Sequence, residues 1–259
     1  MISSVTNGNF TLDASNFGGT IDINTITASG AVVVSMGSSG DFSADSVATV
    51  GAFTLDGAAA TSGSVVLNSV TAGGNSTVSM GSGTGSLAIT TLNTLGNFTL
   101  DASRFNGTID ATNVSASGAM VVSIGANGDF SAGHVAGVGA ITLDGAAATT
   151  GQVTLTGITA GGNVTVSMGA GTGALTMASS LTLGSFTIDA SNFGGTIDAT
   201  TITASGAVVV SLGSNGDFSA NGVHTTGAIT IDGAASTTGQ VAAHALSASG
   251  AVTISMGAG

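Results

Sequence analysis

Hydrophobic and polar residues alternate with a period of two along most of this 259-residue chain, in short runs punctuated by glycine. Phe10-Thr11-Leu12-Asp13 is one such run, and as a strand it sends Phe10 and Leu12 inward and Thr11 and Asp13 outward. Thr20-Ile21-Asp22-Ile23 is a second, with Ile21 and Ile23 inward. A shorter third run is marked by Ile26, Val47, Val70, Leu92, Val114, Val135, Ile158, Ile202, Val223 and Leu246, each four residues before a glycine. The unit centred on Leu181 is expected to break that register by one residue. A helical reading fails, because glycine at every eleventh residue would cost about 1 kcal/mol each.

The runs recur at two levels. FTLDAS at Phe10 and Phe98 and FTIDAS at Phe186 are spaced by 88 residues, as are DGAAAT or DGAAST at Asp56, Asp144 and Asp232. Each 88-residue unit holds four shorter copies of 22, 21, 23 and 22 residues, and eleven complete copies run from Phe10 to Ala251. One aligned column reads Asp13, Ser35, Asp56, Ser79, Asp101, Ser123, Asp144, Ser167, Asp189, Ser211, Asp232, Ser255. A glycine follows in every complete copy, at Gly19, Gly40, Gly63, Gly85, Gly107, Gly128, Gly151, Gly173, Gly195, Gly216 and Gly239. A second comes 11 residues later, from Gly30 to Gly250, and the length variation is confined to the stretch before the first glycine.

Three short strands and three corners in about 22 residues describe one coil of a parallel β-solenoid, with four coils per 88-residue repeat. A lone coil buries too little to offset the entropy of ordering it, so stacking must supply the stability. At about 4.8 Å per coil, eleven coils make a rod roughly 50 Å long. The bias of parallel crossovers favours right-handed winding. Residues 1–9 form a partial coil, 10–97 the first repeat, 98–185 the second and 186–259 an incomplete third. MISSVTNG matches MASSLTLG from Met177, and VTISMGAG matches VTVSMGAG from Val164, so the chain reads as a slice of a longer array without caps. Val5 at one end and Val252 and Ile254 at the other are expected to be unburied.

Composition narrows the function. The chain has 43 glycines, no proline, cysteine, tryptophan or tyrosine, and a formal charge of −12. All thirteen acids are aspartate, and the one basic side chain is Arg104. Nucleic-acid binding and docking on anionic membranes both need clustered Lys and Arg, so neither is expected. The lack of Glu, Lys, Cys and Tyr, with three histidines in all, argues against an enzyme. MISSVTNGNF has neither the basic region nor the apolar core of a signal peptide, and no stretch approaches the roughly 20 apolar residues of a membrane span.

FTLDASNFGGTIDI, ITLDGAAATTGQVTL and VTVSMGAGTGALTM resemble the β-strand-repeat regions of large secreted bacterial surface proteins. These include S-layer proteins, giant adhesins and segments flanking RTX calcium repeats. The resemblance spans essentially the whole chain and implies a secreted, cell-surface location and a structural role. The RTX nonapeptide G-G-x-G-x-D is absent, and Gly169-Ala170-Gly171-Thr172-Gly173 has the glycines without the aspartate, so no RTX calcium ligands carry over.

The Asp/Ser column is the first candidate site. A continuous aspartate ladder at about 4.8 Å would repel by roughly 0.9 kcal/mol per pair even in water. Interleaved serine doubles the separation and offers a hydroxyl to each carboxylate. The column is either a soluble, tolerated ladder or a line of weak cation sites. Asp22 with Asp41, Asp110 with Asp129 and Asp198 with Asp217 are a second group, expected as diagonal neighbours on one outer face. Each pair could hold a hydrated Ca²⁺, although calcium takes six to eight oxygens and two carboxylates supply too few alone.

The outward column from Thr11 through Thr54 and Thr77 to Thr253 raises ice binding as a distant alternative, with valine interrupting it every fourth coil. Phe17, Phe105 and Phe193 recur in the variable corner, where they plug the corner or project as lateral contacts. His134, His224 and His244 lack metal-ligand spacing. The expected function is a structural extracellular module that assembles with itself, head-to-tail or laterally, in a fibre, sheath, S-layer or adhesin stalk. The alternative is a calcium-dependent adhesive module whose acidic face binds surface glycans. No cofactor is required beyond that Ca²⁺.

Overall fold

Parallel pairing at one-coil intervals builds the molecule. The computed structural model describes residues 2–57, 62–145, 150–233, 235 and 238–258. Met1, Gly259 and the residues following the DG of the DGAAAT and DGAAST corners (58–61, 146–149, and 234, 236 and 237) lie outside the described residues. No described residue is helical, and the chain winds as a β-solenoid of about 11 turns. Five-residue strands such as Phe10–Ala14, Val32–Met36 and Phe53–Gly57 stack into a twelve-stranded sheet. Nine-residue strands such as Thr20–Ala28, Asp41–Thr49 and Ser64–Ala72 dominate a thirteen-stranded sheet.

The second and third runs of each coil are thus one strand rather than two, which corrects the three-strand expectation. The corner between them survives as a bend inside the strand. In Thr196–Ala204 the buried residues are Ile197, Ala199, Ile202 and Ala204, so the alternation slips by one at Thr200-Thr201, which both face out. The strand register omits Thr200 while pairing residues on either side of it. Backbone hydrogen bonding carries through the bend, and only in the final turn does the strand divide, into Val241–Ala243 and Leu246–Ala248.

The core is a set of columns running along the rod. Phe53, Phe98 and Phe186 stack in the short-strand sheet and Phe42 and Phe218 in the long-strand sheet, all essentially inaccessible. The coil at Leu181 shows how strongly the stack dictates register. The sequence pattern there favours Leu181 inward, yet Ser180 pairs with Ile158 on one side and Ile202 on the other, is buried, and leaves Leu181 half-exposed. The register is therefore unbroken, and the cost is a buried hydroxyl with no hydrogen-bond partner. Val5 repeats the arrangement: it pairs with outward-facing Thr27, so it is a surface residue and not an uncovered core residue.

Ser76 is a second buried hydroxyl without a partner, held between Phe53 and Phe98. Val164 fills the equivalent position 88 residues on. Ser76→Val and Ser180→Ile should each raise stability by about 1–2 kcal/mol, because an unpaired buried hydroxyl gives way to apolar contact. Thermal melts of the single and double variants check this, and a lowered midpoint in both singles would contradict the packing described.

Candidate functional site

The Asp/Ser column forms in the expected register along the end of the short strands. Asp13 pairs with Ser35, Ser35 with Asp56, and Asp56 with Ser79, and the alternation continues to Asp232 with Ser255. Carboxylates therefore stand two strands apart. Three of them, Asp13, Asp101 and Asp189, take local serine donors. Asp13 accepts from the Ser15 hydroxyl at 2.6 Å and the Ser15 amide at 3.0 Å. Asp101 and Asp189 are bound in the same way by Ser103 and Ser191, with hydroxyl distances of 2.8 Å. These Asx-type turns start the corner that leads to the other sheet. The Ser15 hydroxyl, and then its amide, holds the Asp13 carboxyl below its ordinary value.

The second acidic group is also placed as expected. Thr20 pairs with Asp41 and Asp22 with Ser43, so the two carboxylates are diagonal neighbours, and the arrangement recurs at Asp110 with Asp129 and Asp198 with Asp217. One of each pair has a structural duty that the spacing did not reveal. In five turns the first amide of the long strand donates to a glycine carbonyl of the previous turn, as Asp41 does to Gly19 at 3.2 Å. In the 23-residue copy that starts at Phe53, the Ser64 amide donates instead to Asp41 Oδ1 at 2.9 Å. Gln152 does the same to Asp129 at 2.9 Å and Gln240 to Asp217 at 2.7 Å. Asp22, Asp110 and Asp198 stay exposed beside these capped carboxylates.

A shallow groove of about 460 Å³ opens where the acidic column meets the corner, lined by Asp144, Ser167, Gly169, Asp189, Ser191 and Asn192 among others. It repeats 88 residues earlier as a groove of about 320 Å³ with Ser79, Gly81, Asp101, Ser103 and Arg104. Arg104 takes the place of Asn192, so the two grooves differ in charge. The histidines stay apart: His134 pairs with Asn113 and Gly157, and His224 with Thr203 and Ser247. Among the described residues no three of His, Cys, Asp or Glu come together in a way that could hold a metal ion.

The corner glycines are explained by contact and not by backbone angle, since no described glycine has positive φ. A Cβ on Gly85 would lie 1.9 Å from the Gly63 carbonyl oxygen, and one on Gly107 2.0 Å from that of Gly85. Phe105 and Phe193 plug the same corner and are buried, whereas Phe17 is half-exposed.

Two sets of polar residues escaped the sequence reading. Asn9, Asn97 and Asn163 follow the second glycine and accept the amides of Ala31, Ala119 and Ser185 in the next turn at 2.8–2.9 Å. The recurring Gly-Asn dipeptide was the signal. Buried Thr49, Thr94, Thr182 and Thr225 donate to the carbonyls of Gly30, Gly74, Gly162 and Gly206. No family model, curated protein or solved structure matches the chain.

Proposed function

We propose that this chain is a structural extracellular repeat module that assembles with itself into a fibre, sheath, S-layer or adhesin stalk. The observation that carries the reading is the unbroken register of the short-strand sheet, in which each turn offers the next the same pairing edge. Val252 and Ile254 pair with Ile229 and Ile231 and point inward as those do. Within the chain, Ser76–Met80 is covered by Phe98–Ala102 and Val164–Met168 by Phe186–Ala190. A second copy presenting Phe10–Ala14 to Val252–Met256 would reuse that pairing, with the Asp/Ser alternation continued across the joint. Open strand edges template such addition, and a head-to-tail contact that does not close gives filaments. The faces carry acids of one type and a single basic side chain, a composition that fits a building element better than an enzyme.

The 259-residue chain should therefore form unbranched filaments visible by electron microscopy, with a fibre-diffraction reflection near ~4.8 Å along the axis. A concentration-independent monomer in sedimentation, with no filaments, would overturn the reading.

The recurrence of the diagonal carboxylate pair at every 88 residues favours calcium-dependent adhesion, through surface glycans, as a second reading. On that reading millimolar Ca²⁺ raises the melting midpoint, and Asp22→Asn with Asp41→Asn removes the increase at the first pair. The fold tolerates this change because an asparagine Oδ1 can still accept the Ser64 amide. Calorimetry showing no heat of Ca²⁺ binding to the unmodified chain would dispose of this second function.

A further inference from the structure

One long edge of the rod carries exposed apolar side chains at regular intervals. It is the corner between the end of each long strand and the start of the next short strand. Val50, Leu95, Val138 and Leu183 stand there at 72%, 72%, 71% and 68% exposure. They occupy every second turn, so they are about 9.6 Å apart. The turns between them present Gly73, Ser117 and Gly161 at the same position, with Ser29 before the first knob. A Cβ on Gly73 would come within 2.2 Å of the Val50 carbonyl oxygen, and one on Gly161 within 2.3 Å of that of Val138. Those two gaps are therefore fixed by the backbone.

The edge is rigid and uncharged. The amides of Val50, Leu95, Val138 and Leu183 donate to Ala28, Ala72, Ala116 and Ala160 of the preceding turn at 2.9–3.1 Å. None of the thirteen aspartates lies in any of these corners, although the chain carries a formal charge of −12. Leu181, turned outward by the register described above, widens the apolar strip beside Leu183. Ordinary solvation would place polar side chains at such a corner, as Ser29, Ser117 and Ser205 show.

We infer that this edge is a lateral zipper for a second copy of the chain, running antiparallel about a two-fold axis. In that arrangement Val50 faces Gly161 of the second copy, Leu95 faces Ser117, Val138 faces Gly73 and Leu183 faces Ser29. Every knob meets a small residue, and because the row is self-complementary the same patch serves both copies, as an isologous contact requires. The absence of charge along the edge removes the repulsion that the acidic faces would impose on any other lateral approach. Four side chains alone fall well short of the roughly 800 Å² per partner of a standard stable interface. Pairing of single chains is therefore weak and transient, and strengthens with the number of repeats engaged. This inference rests on the self-assembly reading and supplies its lateral contact.

The chain has no cysteine, so an introduced thiol is unique. Ser117→Cys places one in the zipper, and Thr176→Cys places one on the exposed outer face of the long-strand sheet. With a short bis-maleimide cross-linker, Ser117→Cys chains should form covalent dimers at least ~10-fold faster than Thr176→Cys chains, a preference of about 1.4 kcal/mol. Adding Val50→Ser, Leu95→Ser, Val138→Ser and Leu183→Ser should reduce the Ser117→Cys rate to the control rate while circular dichroism stays unchanged. If that variant fails to fold, Leu95→Gln with Leu183→Gln gives the same comparison with half the knobs. Equal rates at the two thiols, or a rate indifferent to loss of the knobs, overturns the zipper. The cross-link is scored whether or not filaments form. Filaments without preferential cross-linking remove the zipper alone, and preferential cross-linking without filaments removes only the end-to-end reading.

Discussion

Gly107→Ala is expected to lower the melting midpoint by roughly 6–12 °C, from an overpacking cost of about 3 kcal/mol and a shift of about 2–4 °C per kcal/mol in chains of this size. The added Cβ would sit 2.0 Å from the Gly85 carbonyl oxygen, well inside van der Waals contact. That oxygen cannot move aside freely, because it accepts the Thr108 amide at 3.3 Å, and Gly107 in turn accepts from Asp129 at 3.2 Å. Making room means parting two turns of the solenoid and stretching bonds on both sides. Gly19→Ala is the matched control. It belongs to the same column, but its Cβ would meet only the Phe17 ring, at 2.6 Å, and that ring is half-exposed and can swing away. Its effect should stay within about 1 kcal/mol, since a more restricted unfolded chain offsets the small displacement. Circular dichroism melts of the two variants decide the matter. Equal midpoints would mean that the corner glycines serve something other than close approach.

That contrast marks the limit of what the pattern conveys. Period-two alternation and fixed glycine spacing defined the coil length, the parallel stack and the columns, because each is a repeated one-dimensional property. Whether the corner glycines supplied unusual φ or merely absent side chains depended on how near the next turn lies. The bend at Thr200-Thr201 was read as a strand end, since a phase slip in burial looks the same whether or not the hydrogen bonds continue. Leu181 was misplaced for a different reason. Local hydrophobicity argued for turning it inward, but turning it in would shift the strand by one residue against its pairing partners. Retaining the ladder at the expense of one buried serine is the cheaper solution. The acidic sites were legible as positions, whereas the bond from the Ser64 amide to Asp41 was not, because it arises only in the 23-residue copies. The apolar edge was hidden by its alternation with serine and glycine, which in sequence resembles any turn.

Phe193→Ala should cost about 3–5 kcal/mol. The ring is 1% exposed and fills the corner above the Gly-Ala-Gly-Thr-Gly turn, to which the backbone is tied by the Gly194 amide donating to Gly171 at 2.8 Å. Its own amide closes a tight turn on the Ala190 carbonyl at 2.9 Å, so the aromatic side chain is delivered inward by a fixed backbone. The bonds around it, Thr196 to Gly173 at 3.3 Å and Asp217 to Gly195 at 3.1 Å, run to glycine carbonyls that cannot collapse into the void without breaking. A cavity that cannot relax carries close to its full cost. In a stacked array the loss spreads only to neighbouring turns, so amide exchange should accelerate from Leu175 to Leu212 and much less around Phe53. Phe17→Ala is the internal comparison: the same motif, 50% exposed with no complete turn beneath it, should lose about 1 kcal/mol or less. Uniformly accelerated exchange along the whole chain in Phe193→Ala would show that the rod melts as one unit and that the corner is not a local plug.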